Sequence, residues 1–375
     1  MTKRQLYHEI LIKKYLCKKN RVNLTDRIRS FEKLGCILRE YREEPAGDDG
    51  LPLRQAATRA ASENPWFTPG NIRIALNNLG DALSPGNLDS WLEPYRERLE
   101  KKTVQPAIGV VAAGNIPAAG FHDMLCVMLS GSRLIMKLSS ADAHLLPAMA
   151  RILDEDSAGW RGLVSFTSGT LKEFDAIIAT GSTNTSRYFE YYFRNIPHLI
   201  RRNRNGVALL SGEERHGDLM GIADDIMLFF GLGCRNVSKI YVPAGYDFGI
   251  LIDALRSYAG FASHHKYHNN YEYNRSVFLV NGTPFIDTGF LLLKEDRVIA
   301  SPVGVLHYEF YDDPLAVCRF LTGKQEEIQC VIGSMDLPLN RVNPGQSQKP
   351  APGDYADGTD TIEFLLSLPD NKISL

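Results

Sequence analysis

The stretch "AIGVVAAGNIPAAGFHDMLCVMLSGSRLIMKLSS", residues 107–140, decides the fold. A continuous β-prone apolar run begins it, a run with helical periodicity follows, and a second apolar run ends at Lys137. A buried strand, a helix and another buried strand in this order are typical of a crossover unit in a parallel sheet. The stretch therefore predicts an α/β fold.

The alternation continues towards the C-terminus. Four more strands are predicted at 162–168, 174–182, 239–243 and 276–280, with helices at 142–156, 185–196 and 247–259. Sheets built in this way bind ligands at the carboxyl ends of their strands. Side chains that follow the strands are therefore the first candidates for a functional site.

The two ends of the chain have a different character. Residues 1–104 are predicted to be mainly helical, and in one segment Ile28, Phe31, Leu34 and Leu38 fall on a single helical face. Residues 341–375 are rich in proline and glycine and then end in a short apolar segment. We expect that tail to pack on another subunit of a homo-oligomer, a dimer or tetramer, with simple fraying as the alternative.

Composition describes an ordinary globular protein. The length of 375 residues predicts two packed domains, and 44% hydrophobic and 23% charged residues are enough for a sizeable core. The formal net charge of −2 provides no electrostatic attraction to nucleic acid or to an anionic membrane surface. Neither is therefore expected as a partner.

The N-terminal residues and the cysteines indicate the cellular compartment. Charges interrupt the first 20 residues, so no signal peptide is predicted, and no apolar run approaches the roughly 20 residues of a membrane span. No CxxC pair occurs, which argues against disulfides and a zinc site; the six cysteines are Cys17, Cys36, Cys126, Cys234, Cys318 and Cys330. We expect a cytoplasmic protein without a bound metal.

Three strand ends carry candidate polar groups. Asn115 follows the first strand, as either a helix cap or an amide donor to an oxyanion. Lys137 ends the second strand, as a solvated end or as a cation at the ligand edge. Gly181 and Ser182 lead from a strand into a helix, which is a common helix start and also a place where a phosphate can approach. The chain lacks the GxGxxG fingerprint of ordinary dinucleotide-binding domains.

The fourth candidate is Cys234, in the turn "GLGCRNVSKIYVP". Taken alone, a cysteine between an apolar run and a strand is either a small core residue or a nucleophile. Gly231 and Gly233 leave room for a substrate carbonyl, and Arg235 could stabilise a thiolate.

The order of these four features resembles the aldehyde dehydrogenase superfamily across residues 105–335. That pattern runs from a Trp-Asn-Phe-Pro turn through a lysine at a strand end and a Thr-Gly-Ser-Thr helix start to a Gly-Gln-x-Cys turn. The resemblance implies that Cys234 is the nucleophile and that the Asn115 amide, with the cysteine N–H, holds the oxyanion. It also implies that Lys137 contacts a nicotinamide cofactor's ribose and that Gly181 and Ser182 contact its pyrophosphate.

The resemblance also implies the domain organisation: two Rossmann-like α/β domains with a helical N-terminal region and a short C-terminal oligomerisation tail. The predicted units are a helical region packing on the cofactor domain (1–104), a nucleotide-binding domain (105–212), a catalytic domain carrying Cys234 (213–340) and the tail (341–375).

Departures from the superfamily pattern refine the expected chemistry. Hydrolytic members carry a Glu-Leu-Gly-Gly segment whose glutamate activates water, but residues 199–211 contain no carboxylate. Val298 stands near the position of a glutamate that contacts the nicotinamide ribose, so that contact is in doubt. Ser139 and Ser140 follow Lys137 as further cofactor candidates, and the neutral Ser140 at an acidic position favours NADPH, with NADH possible. Ser186 replaces the last glycine of the pyrophosphate turn.

These departures, the motifs "NPWF" and "LDSWLEPY", and the tail "DYADGTDTIEFLLSL" resemble the LuxC-like branch of fatty acyl-CoA reductases. The resemblance implies reduction of an acyl-CoA to an aldehyde through a Cys234 thioester, with release of coenzyme A. It also suggests an acyl-activating or acyl-transferring protein partner. The alternatives are an aldehyde or acyl-phosphate oxidoreductase of the same superfamily, and a non-reducing acyl-transfer or binding protein.

A last cluster, "SHHKYHNNYEYNRS", contains His264, His265 and His268. No carboxylate or cysteine stands at ligand spacing, and adjacent histidines rarely bind one ion, which disfavours a metal. The remaining interpretations are a packed or solvated loop and a contact with substrate, such as the phosphates of coenzyme A.

Overall fold

The computed structural model of the protein describes residues 22–43, 51–156 and 158–369. Cys17, the charged N-terminus and most of the polar stretch before residue 51 lie outside the described residues. In the part that is described, no helix combines the length and the apolar run that a membrane crossing requires.

The N-terminal region is helical, as predicted. Helix α1 begins after Asn23, whose side chain accepts the Asp26 N–H at 2.8 Å, and its predicted apolar face is buried. Phe31 on that face meets the rings of Phe121 and Trp160 at centroid distances of 6.4 and 6.0 Å, which fixes the helices against the first sheet. The helices are α1 (Leu24–Arg39), α2 (Leu51–Glu63), α3 (Pro69–Ala82), α4 (Pro85–Leu92) and α5 (Arg96–Lys101).

The stretch at 107–140 forms the predicted crossover unit and begins a five-stranded parallel sheet. Its strand order is β3-β2-β1-β4-β5, so the chain changes direction across the sheet between β1 and β4. A crevice opens at such a switch point, outside the carboxyl ends of the two strands. The elements are β1 (Ala107–Val111), α6 (Phe121–Leu129), β2 (Arg133–Lys137), α7 (Leu145–Asp156), β3 (Val164–Thr167), β4 (Ala176–Thr180), α8 (Thr183–Phe193) and β5 (His198–Arg201).

A second, six-stranded sheet follows with the order β11-β6-β7-β10-β9-β8, in which only β8 pairs antiparallel, with β9. Its first strand begins at Asn205, so the change of sheet falls ahead of the predicted boundary at residue 212. The elements are β6 (Asn205–Leu209), α9 (His216–Met227), β7 (Val237–Pro243), α10 (Phe248–Leu255), α11 (His265–Val280), β8 (Ile286–Asp287), β9 (Leu292–Glu295), β10 (Val305–Tyr311), α12 (Pro314–Thr322) and β11 (Ile328–Ile332).

The strand predicted at 276–280 is wrong, because these residues form the last turn and a half of α11. Tyr267, Tyr271, Asn274 and Phe278 are buried on one side of that helix at spacings of three and four residues. Packing of this face outweighs the β-propensity of the short "SVFLV" segment.

The tail folds back onto its own chain. Helix α13 (Thr361–Leu366) buries Ile362 and Leu365 completely in the core shared by the N-terminal helices and the first sheet. Arg98 on α5 makes two hydrogen bonds to the Glu363 carboxylate on α13. A role of the tail between subunits stays a prediction.

Candidate active site

A cavity of about 510 Å³ lies where the carboxyl ends of β1 and β4 face the turn before β7. It lies at the switch point of the first sheet, where the topology predicts a ligand. Asn115, Gly181, Ser182 and Cys234 all line it. The structure thus brings together four of the seven candidate residues. Lys137, Ser139 and Ser140 lie at the end of β2, one strand away.

The backbone before Cys234 is held in an unusual conformation. Phe229 and Phe230 have φ angles of 54° and 58°, and Gly231 follows at 73°. Bulky residues rarely adopt this left-handed region, and such strain of about 1–3 kcal/mol per residue persists only where the surroundings impose it. Here the ring of Phe230 packs on Phe261 and His264 at centroid distances of 4.3 and 4.4 Å.

Buried Asn236 fixes the cysteine turn itself. Its Oδ1 accepts the Gly233 N–H at 2.8 Å, and its Nδ2 donates to the carbonyl oxygens of Asp225 and Leu228 at 3.1 and 2.8 Å. A Cβ at Gly233 would stand 2.8 Å from that Oδ1, so the turn requires glycine there. The thiol therefore has a defined position at the cavity wall.

Asn115 does not cap α6, because Gly120 occupies the N-cap position. Its Nδ2 instead donates to the carbonyl oxygen of Leu232 at 2.7 Å, two residues before Cys234. This bond uses one N–H of the amide, and an amide NH₂ group has a second N–H to donate. The bond joins the turn after β1 to the cysteine turn.

The turn that carries Asn115 is fixed by a buried carboxylate. Ala118 has a φ of 57°, and its N–H donates to Asp142 Oδ2 at 2.7 Å. Burial raises the pKa of Asp142 from its ordinary 3.8 to about 6, although the backbone hydrogen bonds oppose that rise. Asn115 thus stands on a strained turn whose anchor titrates at mildly acidic pH.

Charges around Cys234 act on its thiol in both directions. Burial raises its pKa above the usual value, and Asp357 raises it further, whereas Arg235 and Arg201 lower it. The Nε–H of Arg235 donates a hydrogen bond to the Ser347 carbonyl oxygen at 2.6 Å, so this N–H is not free to bind water.

Gly181 and Ser182 join β4 to α8 at the cavity. Ser182 caps the helix by accepting the Thr185 N–H at 3.3 Å, and the first backbone N–H groups of a helix have no partner within it. Behind β1, Ser139 lies against Gly114, where an added Cβ would stand 2.3 Å from Ser139 Oγ.

A buried arginine was not singled out from the sequence. Arg201 ends β5 with a side chain only 3% exposed, and it lines the cavity. Its guanidinium donates to Asp123 Oδ1 at 2.9 Å, to Thr361 Oγ1 at 2.8 Å and to the Ala356 carbonyl oxygen at 2.6 Å. These partners come from α6 and from the tail, so no local sequence pattern signals the cluster.

The tail forms a second wall of the cavity through Pro350, Ala351, Pro352, Asp354, Ala356 and Asp357. Buried His122 on α6 fastens this wall, since its Nε2–H donates to the Pro352 carbonyl oxygen at 2.8 Å. Burial lowers the pKa of His122, although the bond to the Pro352 carbonyl oxygen opposes that shift.

The histidine cluster takes a structural place. His264 caps α11, stacks near Trp66 and contacts the Pro65 carbonyl oxygen through Nε2 at 2.8 Å. Among residues 22–43, 51–156 and 158–369, no group of three or more His, Cys, Asp or Glu side chains is arranged to hold a metal ion. Of the interpretations of this histidine cluster, the packed segment therefore fits His264.

No protein-family model matches the chain, and no curated protein matches it. Solved structures do. The NAD+ complex of an aldehyde dehydrogenase from Bacillus cereus is 13% identical, with 85% of this chain and 78% of that chain covered and a TM-score of 0.56. The aldehyde dehydrogenase KauB from Pseudomonas aeruginosa is 13% identical, with 83% and 76% covered and a TM-score of 0.54.

An NADP dependent enzyme from E. coli is also similar, at 11% identity, with 85% of this chain and 75% of that chain covered and a TM-score of 0.58. At such low identity the likeness bears on architecture. The chain has the aldehyde dehydrogenase fold, with its two Rossmann-like sheets meeting at the cavity of Cys234.

Proposed function

We propose that the protein is an oxidoreductase that reduces an acyl-CoA to an aldehyde through a thioester on Cys234. The observation that carries the proposal is the hydrogen bond from Asn115 Nδ2 to the Leu232 carbonyl oxygen. It joins a candidate oxyanion donor to a candidate nucleophile across one cavity, which is the arrangement that acyl transfer requires.

In the first half-reaction the Cys234 thiolate attacks the thioester carbonyl. The second N–H of the Asn115 amide and the Cys234 backbone N–H stabilise the oxyanion, and coenzyme A departs. Because sulfur both adds readily and leaves readily, the cysteine thioester suits a reaction that has to release its product again. Release of the aldehyde breaks the bond between Sγ and the carbonyl carbon.

A nicotinamide dinucleotide fits the crevice between β1 and β4. The N-terminus of α8 offers backbone N–H groups to a pyrophosphate, next to Gly181 and Ser182. Lys137, Ser139 and Ser140 are the residues we propose for the adenosine ribose, with NADPH favoured by the neutral Ser140. When bound, the reduced nicotinamide supplies the hydride.

The segment between β5 and β6 favours coenzyme A over water as the acyl acceptor. It carries Arg201, Arg202 and Arg204 and no carboxylate of its own. The glutamate that activates water in hydrolytic members of the superfamily would come from this segment, and none is present there.

Apolar residues form one arm of the cavity and suit an acyl chain. They come from α3, α6 and the tail, namely Leu79, Ala82, Leu83, Phe121, Leu125, Pro350 and Pro352. An apolar arm beside a reactive thiol supports a fatty acyl substrate and the LuxC-like branch. The homo-oligomeric state, an acyl-transferring partner and a cytoplasmic location stay predictions.

Oxidation of an aldehyde is the second candidate, and the similar aldehyde dehydrogenase structures favour it. Both candidate reactions use Cys234 as the nucleophile, but they differ in whether coenzyme A or water accepts the acyl group. Aldehyde oxidation that proceeds without coenzyme A would support the second candidate, whereas oxidation that requires coenzyme A supports the first.

The test is a panel of acyl-CoAs with NADPH or NADH, in which loss of nicotinamide absorbance is followed together with aldehyde formation. We expect turnover by the wild type and none by Cys234→Ala. Cys36→Ala, which removes an exposed thiol on α1, is the matched control and should keep full activity. Undiminished turnover by Cys234→Ala would overturn the mechanism.

A further inference from the structure

Asp357 places a carboxylate beside the segment that has none. It lies in the tail, in the helical turn Ala356–Gly358, and it lines the same cavity as Cys234. Its side chain is 11% exposed, and its Oδ1 atom lies 3.1 Å from Nε of Arg204. Its carboxylate also accepts the backbone N–H of Arg202.

The conformation of Asp357 is strained and fully determined by its neighbours. Its φ and ψ are 60° and 16°, in the left-handed region. Its N–H donates to Gln329 Oε1 at 3.1 Å, and the preceding carbonyl oxygen accepts Arg201 Nη1. Residues held in such conformations by several contacts are concentrated at functional sites.

The cavity needs a base. Burial raises the pKa of the Cys234 thiol, so the group is protonated at neutral pH, whereas the nucleophile in acyl transfer is the thiolate. In the described chain three carboxylates line the cavity. Asp123 is bound to Arg201, Asp357 is paired with Arg204, and Asp354 is exposed and accepts the Ala351 N–H. Asp357 differs from the other two in that its charge raises the pKa of the Cys234 thiol.

We propose that Asp357 is the general acid–base group of acyl exchange at Cys234, an inference that rests on the proposed function. Through one water molecule, the carboxylate accepts the proton from Sγ as the bond between Sγ and the carbonyl carbon forms. The carboxylic acid then returns this proton to the sulfur of coenzyme A as the other carbon–sulfur bond breaks. Proton and charge balance without a further reactant.

The surroundings of Asp357 suit this role. Burial raises its pKa above the ordinary 3.8, which brings a carboxyl group closer to the value that proton transfer near neutrality requires. Arg204 and Arg201 oppose the rise, and Asp123 adds to it. The charged and titratable groups that face it come from β5, the β5–β6 connection, α6 and the cysteine turn, namely Arg201, Arg202, Arg204, Asp123, Cys234 and Arg235.

The substitution Asp357→Asn should speed alkylation of Cys234 and slow the release of coenzyme A. The amide oxygen still accepts the Arg202 N–H, but the negative charge that raises the Cys234 pKa is gone. Alkylation of Cys234 by iodoacetamide at pH 8, which reports the thiolate fraction, should become about two- to fivefold faster. Release of coenzyme A in a single turnover should become about 100-fold slower, because the proton relay is gone.

The pH profile adds a second signature. For the wild type, coenzyme A release should fall at low pH as Asp357 becomes protonated, and Asp357→Asn should lose this limb. Asp336→Asn is the matched control, since it removes an exposed carboxylate that does not line the cavity. It should keep both rates within about twofold of the wild type.

Several outcomes decide the matter. If alkylation and coenzyme A release both become slower in Asp357→Asn, the role of Asp357 is structural. If coenzyme A release is unchanged, Asp357 takes no part in catalysis. If Asp357→Asn does not fold, Asp357→Glu replaces it, and a folded Glu variant that has lost coenzyme A release about 100-fold overturns the proposal. A wild type that releases no coenzyme A from any acyl-CoA overturns the proposed function itself.

Discussion

The two walls of the cavity are built by different means. The wall of strand ends, with Asn115, Gly181 and Cys234, is positioned mainly by tight turns and by hydrogen bonds of amide and backbone groups, with the Asp142 carboxylate as one charged anchor. The tail wall, from Pro350 to Asp357, is positioned by charged side chains that reach it from distant elements, above all Arg201.

This difference suggests a division of labour. Turns and amide dipoles hold a nucleophile and an oxyanion donor in place without adding net charge. Charged groups hold the tail, and they also set the protonation of whatever lies beside them. Changes to the amide and backbone contacts of the first wall should therefore affect chemistry at constant stability, whereas changes to the buried charges of either wall should affect stability.

The largest effect is expected from breaking the tail's buried ion pair. Arg201→Met leaves Asp123 buried without its partner and removes the bonds to Ala356 and Thr361. Loss of one partner of such a pair costs about 3–5 kcal/mol. Urea unfolding should show a reduction of this size, and a loss below about 1 kcal/mol would mean that the tail is held by its apolar contacts alone.

The strand-end wall should respond in activity. Asn115→Ala removes the candidate oxyanion donor, and loss of one such donor lowers kcat by about 100- to 1,000-fold. The free energy of unfolding should change far less, since Asn115 is exposed and makes one hydrogen bond. Steady-state acyl-CoA reduction measures the first quantity and urea unfolding the second. Equal acylation rates for variant and wild type would remove Asn115 from the mechanism.

Asp142 allows the strand-end wall to be tested through pH. Its pKa is raised from 3.8 to about 6 in the folded protein, so the folded state binds the proton more tightly than the unfolded one. The stability this contributes is complete below pH 3.8 and is lost as pH rises through 6.

Asp142→Asn removes this titration and keeps an acceptor for the Ala118 N–H. The unfolding free energy of the wild type, relative to the variant, should fall by about 2 kcal/mol between pH 4 and pH 7. Urea unfolding of both proteins at several pH values measures the difference. A constant difference would show that Asp142 has an ordinary pKa.

The smallest effect is expected at the surface of the tail. Arg98 and Glu363 form an exposed ion pair, with side chains 49% and 48% exposed. Exposed pairs contribute about 0–1 kcal/mol, so Arg98→Met should barely change unfolding in urea. This variant is the matched control for Arg201→Met, and a loss as large as that one would contradict the distinction between buried and exposed anchors.

Local patterns were enough to predict four of the five strands of the first sheet. Strands β1 to β4 are short apolar runs between helices with clear periodicity, and such runs have few alternatives to a buried parallel strand. The helical N-terminal region and the turns of Asn115 and Cys234 follow from equally local signals. Strands β5, β6, β8, β9, β10 and β11 were not predicted, because only their neighbours in the sheets distinguish them from loops.

The tail wall could not be predicted for a physical reason. Arg201 and Asp123 are far apart in sequence, and each looks like an ordinary surface charge until the sheet and the tail enclose them. The same holds for Asp357, whose role depends on the β5–β6 connection and on a left-handed backbone that its neighbours impose. Such sites arise from tertiary packing, which periodicity does not encode.

The measurement that tests the central claim most directly is intact mass after incubation with an acyl-CoA in the absence of nicotinamide. We expect a mass gain of one acyl group, an equal amount of free coenzyme A, and an adduct that maps to the peptide of Cys234. A wild type that stays unmodified with every acyl-CoA, or the same adduct on Cys234→Ala, would contradict the account.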